Sequence, residues 1–272
     1  MSETKGPEKV ASAEQIGLSH REAAAPPPPE AARQAAPPRD AASWARKVDR
    51  LEVDPRDGVR GTNVAGRRLT GPVQGFGRMW QKTYRMDAGQ VPPEQAIGTW
   101  REHFPEFWPS GNRFAGALTG INPGDVALLD LAIGGGVKLS TGVFALYADA
   151  ESFTLMTPQG HMFAGWITFS AERSGDTTTV QAQVLMRAND PLYELAMMLG
   201  GHRKEDTFWA ATLTALGQRL GVPDPKVEIR STCVDAKRQW RHARNVWHNS
   251  MVRSVLQTAA SPFKRMKSQA SG

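Results

Sequence analysis

Gly160-His161 lies within "LMTPQGHMFAGWITFSAE" (155–172), between two runs that read as strands, and its imidazole could serve as a base or a metal ligand. A metal needs further ligands at short spacing. The next histidines, His103 and His202, are far away in sequence and share no metal-binding spacing with it. Pro158 and Gly160 are turn residues, so 157–161 reads as a connection between strands. His161 is therefore expected at a hairpin corner, as a turn residue or a cavity-rim contact, and not as a catalytic base.

The remaining candidates for chemistry are isolated. Asp130, Glu172 and Glu194 could act as acid or base, but no pair has a diagnostic spacing, and solvated surface is the expectation for all three. The single cysteine, Cys233, excludes an internal disulfide and any Cys-based zinc cluster, and no nucleophile motif surrounds it. "LDLAIGGGVKLSTG" (129–142) offers Gly134 and Gly136 for a dinucleotide loop, but Leu139 occupies the place of the third glycine. A strand-like "GVFALYAD" follows where a nucleotide loop needs a helix, so a turn or bulge is expected. No catalytic residue, cofactor or metal is assigned.

The elements that must carry these residues can be read from composition and periodicity. The 272 residues, 40% hydrophobic, are ample for one core with tails to spare. Residues 1–40, with "AAAPPPPEAARQAAPPRD" at the centre, carry too little large apolar surface to offset ordering entropy and are expected to be disordered. A lead-in follows over 41–78, with "SWARKVDRLEV" (43–53) read as a short helix docking through Trp44 and Val48. "MWQKTYRM" (79–86) reads as a strand. "PPEQAIGTWREHFPEFW" (92–108) reads as a helix with Ile97, Trp100 and Phe104 at i, i+3, i+7, interrupted at Pro105. Six more strand-like runs cover 114–121, 125–133, 137–148, 152–157, 162–173 and 177–188. In the last of these, Val180, Ala182, Val184 and Met186 share the face expected inside. The run 143–148 is apolar on both faces, which suits a sheet edge under the lead-in or an oligomer contact. Asp190-Pro191 opens a helical region divided at Gly200-Gly201. Trp209, Leu213, Leu216 and Leu220 form its apolar stripe, and Gly221 stops it.

Antiparallel strands joined by hairpins leave one sheet face in need of cover, and the long helix is the obvious cover. The fold class expected is α+β: a helix-grip arrangement with a curved antiparallel sheet wrapped around a long C-terminal amphipathic helix. The core domain is placed at 79–222 and a basic C-terminal helix and tail at 223–272.

Four strings, "GRRLTGPVQGFGRMWQKTYRM", "FPEFWPSGNRF", "LSTGVFALYADAESFTLMTPQGHMFAGWITF" and "RANDPLYELAMMLGGHRKEDTFW", resemble an uncharacterised actinobacterial family within the START-like (SRPBCC) superfamily. The resemblance runs from about Gly66 to Val222. It implies the helix-grip fold and little about activity, because that superfamily hosts carriers, cyclases and sensors on one scaffold.

A helix-grip fold can hold a cavity between sheet and helix. Candidates for its wall are Phe144, Leu146, Phe153, Met156, Ile167, Phe169, Val184, Met186, Trp209 and Leu213, with the inward strand parity left open. Ten methionines would suit an adaptable apolar pocket or an ordinary core. The expected function is non-catalytic binding or carriage of a hydrophobic small molecule or lipid. The rivals are a cyclase- or aromatase-like enzyme using the same cavity, and an interaction protein acting through its C-terminal region.

The net charge of +6 is uneven: from Lys226 to the end, ten Lys/Arg face two Asp/Glu, which leaves −2 for the rest. Residues 234–258 read as an amphipathic helix, with Trp240, Ala243, Trp247, Met251 and Val255 on one side. Lys237, Arg241, Arg244 and His248 make a basic stripe beside it. Docking on its own domain through the tryptophans is the favoured use, and an anionic membrane surface is the second. Nucleic acid is not expected as a partner. No apolar run approaches the ~20 residues that span a bilayer, and the charged start "MSETKGPEKV" has no apolar stretch behind it. A cytoplasmic setting is the expectation, with peripheral membrane contact through the tail as the alternative to docking.

Overall fold

In the strand "MWQKTYRM", Trp80, Lys82, Tyr84 and Met86 share one face, and Gln81, Thr83 and Arg85 the other. That alternation is realised in β1 (Met79–Asp87) of the computed structural model, in which Lys82, Tyr84 and Met86 are buried. The structure describes residues 41–53, 61–116, 120–134 and 137–255. The tail expected to be disordered lies outside them.

Helix α1 (Pro93–Glu102) opens on proline, whose missing N–H costs nothing in a first turn. Its stripe Ile97, Trp100 and Phe104 is fully buried, and a 3-10 turn (Phe104–Phe107) follows across Pro105. An antiparallel meander then runs through β2 (Arg113–Ala115), β3 (Val126–Gly134), β4 (Val137–Ala148), β5 (Ser152–Met156), β6 (Phe163–Ser174) and β7 (Thr177–Ala188). The strand expected over 114–121 is only three residues long, and 117–119 lie outside the described residues.

The chain next turns helical through α2 (Pro191–Ala196), a π-helical turn (Met197–Gly201) and α3 (His202–Arg219). Asp190 caps α2 by accepting from the backbone N–H of Leu192 and Tyr193. Gly200 sits at φ +113°, which a side chain would resist, so the break between the helices falls there. Leu213 and Leu216 are fully buried against the sheet, and Trp209 is partly buried. The result is the helix-grip arrangement: a curved antiparallel sheet around one long helix.

The sheet has one more strand than the sequence suggested. β8 (Val227–Asp235) pairs antiparallel with β1 from Met86↔Val227 to Met79↔Asp235, giving the order β2-β3-β4-β5-β6-β7-β1-β8. Charges interrupt its apolar residues and nearly the whole strand is exposed, so burial leaves no period to read. The region beyond it also departs from the single helix expected over 234–258. Trp240–His248 is a 3-10 helix, the chain breaks at Asn249, and residues 250–255, the last described, are helical.

The lead-in differs as well. Residues 44–53 form no helix, and Ala41–Ser43 before them makes a 3-10 turn. The reason is the outer face of β4. Phe144 there forms a second core with Leu51, Val64 and Leu128, with Leu146 packed beside it. An extended chain can follow that face: Ala45 N–H donates to the Leu146 carbonyl at 2.9 Å, and Trp44 bridges Tyr147. Leu51, not Val48, is the buried anchor. β4 is apolar on both faces because both are covered, and it lies between β3 and β5 rather than at an edge.

Candidate functional site

Strand register fixes which side chains face α3. One inner row crosses the sheet as Lys82–Val184–Ile167–Leu155, and the next as Tyr84–Ala182–Phe169–Phe153. On α3, His202, Glu205, Asp206, Trp209, Leu213 and Leu216 recur at i, i+3, i+4, i+7, i+11, i+14, one face of a helix. That face is polar at its start, aromatic at Trp209 and aliphatic beyond. It meets a sheet row in which a lysine stands among apolar residues.

The polar ends meet. Lys82 Nζ lies 2.7 Å from Asp206 Oδ1 and 3.0 Å from Glu205 Oε2, and donates to the His202 carbonyl at 3.3 Å. Tyr84 OH also donates to Asp206 Oδ1, at 2.8 Å. The Glu205 contact is an ion pair without aligned hydrogen-bond geometry: neither of its buried oxygens has a hydrogen-bond partner among the described residues. Nor has His202 Nδ1, whose ring tilts against Trp80 at 4.8 Å. Lys82 and Glu205 are almost wholly buried, while Asp206 keeps 29% of its side chain exposed.

Burial sets the protonation of this cluster. It pushes the Glu205 carboxyl up to about 7, against the opposing pull of the Lys82 ammonium. Burial, then the Lys82 charge, brings His202 down to about 4, so its ring is neutral near pH 7. Burial holds the Tyr84 phenol well above its ordinary value, helped by the two carboxylates. Near neutrality the cluster therefore holds a neutral imidazole, a neutral phenol donor and a glutamate close to its midpoint, beside the Lys82 and Asp206 side chains. Such a set can donate to, accept from and exchange a proton with a polar group at the edge of an apolar wall.

That wall is aromatic and closed. Phe153 stacks on Phe169 with centroids 4.5 Å apart, and Trp100 and Trp209 meet Phe169 at 4.8 and 5.5 Å. A pocket of about 10 Å³, room for roughly one water, lies elsewhere, between Phe114, Ile121, Val143 and Leu155.

The register divides the nominated wall residues. Phe153, Ile167, Phe169, Val184, Met186, Trp209 and Leu213 belong to the core under α3. Phe144 and Leu146 do not: they lie in the second core on the opposite face. Met156 pairs with Phe144 and shares that outer parity, its methyl beside Gly71 of the lead-in. These three are corrected from cavity wall to outer-face packing, because a one-residue change of parity reverses the face.

His161 is buried in the β5–β6 connection rather than standing at an open rim. Its Nδ1 accepts from Phe163 N–H at 3.0 Å, and burial lowers it to about 4. Gly160 beside it has φ +94° and accepts from Ser250 N–H at 2.9 Å, so the corner is a docking point for the C-terminal region. Glu194, expected at the solvated surface, is buried and paired with Arg238 at 3.0 Å. Asp130 accepts from Ser140 Oγ at 2.5 Å, Glu172 is exposed, and Cys233 is exposed on β8. Gly134 pairs with Val137 across the β3–β4 turn, while Gly136 lies outside the described residues. Among the described residues no three His, Cys, Asp or Glu side chains gather as a metal would require, and no helix is long and apolar enough to cross a membrane.

Lys82, Tyr84, His202, Glu205 and Asp206 were not nominated from the sequence, yet two signals mark them. Lys82 occupies the apolar parity of β1, and Glu205 precedes Trp209 by four on the stripe that later buries Leu213.

No family model matches the chain, and no curated protein matches it. Solved structures do. A START superfamily protein from Mycobacterium smegmatis is 22% identical over 53% of this chain and 98% of its own, with a TM-score of 0.37. The di-domain ARO/CYC StfQ from the steffimycin biosynthetic pathway is 12% identical over 53% of each chain, at 0.41. Ara h 8.0201 is 11% identical over 53% of this chain and 99% of its own, at 0.39. At such values no residue's role passes from them to this chain. Its own topology, with β1 and β7 adjacent and α3 gripped by the inner face of an antiparallel sheet, has the helix-grip form.

Proposed function

We propose that this chain binds a hydrophobic small molecule carrying one neutral hydroxyl or carbonyl group, held between α3 and the inner rows of β1, β6 and β7. The observation that carries the reading is the buried Lys82–Glu205–Asp206–Tyr84 cluster at the head of an aromatic wall, with the Glu205 oxygens lacking aligned donors. Glu205 Oε2 is paired with Lys82, but Oε1 is buried with no partner among the described residues; such an atom calls for an explanation, and a ligand group is one. The cluster already contains two acidic side chains against one lysine, so a neutral polar group suits it better than another anion. The closed wall must open to admit the molecule. The break at Gly200 between α2 and α3 is the place where the helix can swing.

The test uses protein purified from its native host. Native mass spectrometry should show a retained apolar molecule, and 2-naphthol should quench tryptophan fluorescence saturably. Phe169→Ala and Glu205→Leu should weaken that titration, whereas Phe144→Ala, on the other face, should leave it unchanged. No retained mass and no saturable quenching would remove the reading.

A second reading has its own support. The aromatic wall is fully packed, with Trp100, Phe104, Phe153 and Phe169 all without solvent access. A filled interior fits a protein that works through its outer surface. Acid–base chemistry at Glu205, whose carboxyl burial pushes up to about 7, is the enzymatic alternative, and turnover lost in Glu205→Gln with binding intact would identify it.

A further inference from the structure

Two tryptophans close to the C-terminal end of the described chain face water although the segment that carries them is firmly docked. The 3-10 helix Trp240–His248 repeats every three residues, so every third side chain shares a face. One such face, His242, Asn245 and His248, turns to the body. Asn245 Nδ2 donates to the Gln74 and Asn189 carbonyls, both at 2.9 Å, and His248 Nδ1 lies 3.0 Å from Arg67 Nη1. The face formed by Arg241, Arg244 and Trp247 therefore points outward. Trp247 is 80% exposed and Trp240 is 73% exposed, its ring edge touching Phe76.

This face does not stand alone. Arg238 contacts Glu194 and Met198, Asn245 contacts Asn189, and Met251 N–H donates to Tyr193 OH. The segment thus runs back alongside α2 and its π-helical turn. There Met198 is 53% and Leu199 79% exposed. Large apolar side chains are thus exposed on two adjacent elements, and Arg241 and Arg244 are exposed between Trp240 and Trp247 in the chain. Among the described residues no carboxylate lies within ion-pair distance of Arg241 or Arg244.

We infer that this face, built by α2, its π-helical turn and the 3-10 segment, is a docking surface for an anionic lipid membrane. Tryptophan and long aliphatic side chains gain by entering the interface between headgroup and acyl chain, and arginine gains from the negative surface beside it. Leu199 and Met198 decide between lipid and nucleic acid. Bases offer stacking to tryptophan, but an aliphatic side chain has no π-face to stack and no charge to pair with phosphate. Its exposed side chains, Met198, Leu199, Trp240 and Trp247, are not part of the core under α3.

The experiment is co-sedimentation of the full chain with vesicles of phosphatidylcholine and phosphatidylglycerol at equal proportions, against phosphatidylcholine alone. The full chain should pellet with the anionic vesicles and not with the neutral ones, and its tryptophan emission should shift to the blue. Trp240→Ala/Trp247→Ala and Arg241→Gln/Arg244→Gln should each lower partitioning roughly tenfold without moving the thermal midpoint by more than a few degrees, since these side chains are exposed. Leu199→Ser should weaken it less. Failure to pellet would overturn the inference. So would unchanged pelleting by the double tryptophan variant, which would assign binding to charge elsewhere in the chain. A mobility shift on DNA at lower protein concentration than vesicle binding would replace lipid by nucleic acid as the partner.

Discussion

Asn249 Nδ2 donates to Asp190 Oδ2 at 2.8 Å, while Oδ1 of the same carboxylate caps α2 through Leu192 and Tyr193 N–H. One aspartate thus begins a helix and anchors the chain nearly 60 residues later. Asn249 in turn accepts from Met251 and Val252 N–H through Oδ1, at 2.9 and 3.0 Å, and starts the helix over 250–255. Both side chains are wholly buried. Asn249→Ala loses a hydrogen bond to a charged group and a helix cap, so it should cost about 2–3 kcal/mol in urea unfolding. A cost within error of zero would show that the C-terminal segment contributes nothing to the fold.

The lysine between two carboxylates gives a second prediction. Lys82→Met removes the cation that separates Glu205 from Asp206 and leaves buried acid without compensation, so it should destabilise by about 3–5 kcal/mol. Adding Glu205→Leu removes one of those acids and should recover much of the loss. If the double variant is no more stable than Lys82→Met, charge burial is not what the lysine relieves.

Stability should depend on pH in two opposed ways. Glu205 is pushed up to about 7 in the fold from an ordinary 4.5. The folded state then binds more protons than the unfolded one between those values. Its contribution is present below about pH 4.5 and is lost as pH rises through about 7. His161 and His202 are lowered from 6.5 to about 4, so their contribution is present above 6.5 and is lost as pH falls through about 4. Glu205→Gln removes only the first slope. The stability of Glu205→Gln relative to the parent should therefore rise between pH 4.5 and 7, as read from urea midpoints. A flat difference would mean that Glu205 is not held protonated by the fold.

The corner at Gly160 can be tested through the segment it holds. A Cβ there would meet the His248 carbonyl, and φ +94° is costly for any side chain. Gly160→Ala should release the C-terminal segment, at a cost of about 1–3 kcal/mol. Hydrogen exchange should quicken over 245–255 while α3 stays protected. Equal exchange in both proteins would show that the corner does not hold the segment.

Local pattern by itself determined most of the meander, the division at Gly200, the cap at Asp190 and the buried stripe through Leu213, because each depends on neighbours within a few residues. Turn residues likewise placed Gly160-His161 at a corner. What lay beyond local pattern is what the tertiary structure decided. A strand apolar on both faces, such as 143–148, does not say which face is inside; pairing with β3 and β5 sent Val143 and Ala145 inward and Phe144 outward. The alternation of the segment that became β8 was too diluted to read, and only the open edge of β1 supplied its partner. The basic segment was read at 3.6 residues per turn, which gathers Trp240 and Trp247 on one buried stripe. Docking through Asn245 and Asn249 instead fixed a period of three and turned Trp247 to solvent. Lys82 and Glu205 were each visible as a charge in an apolar pattern. That they meet, nearly 125 residues apart, is a consequence of laying α3 across β1, because long-range contact is set by packing and not by spacing along the chain.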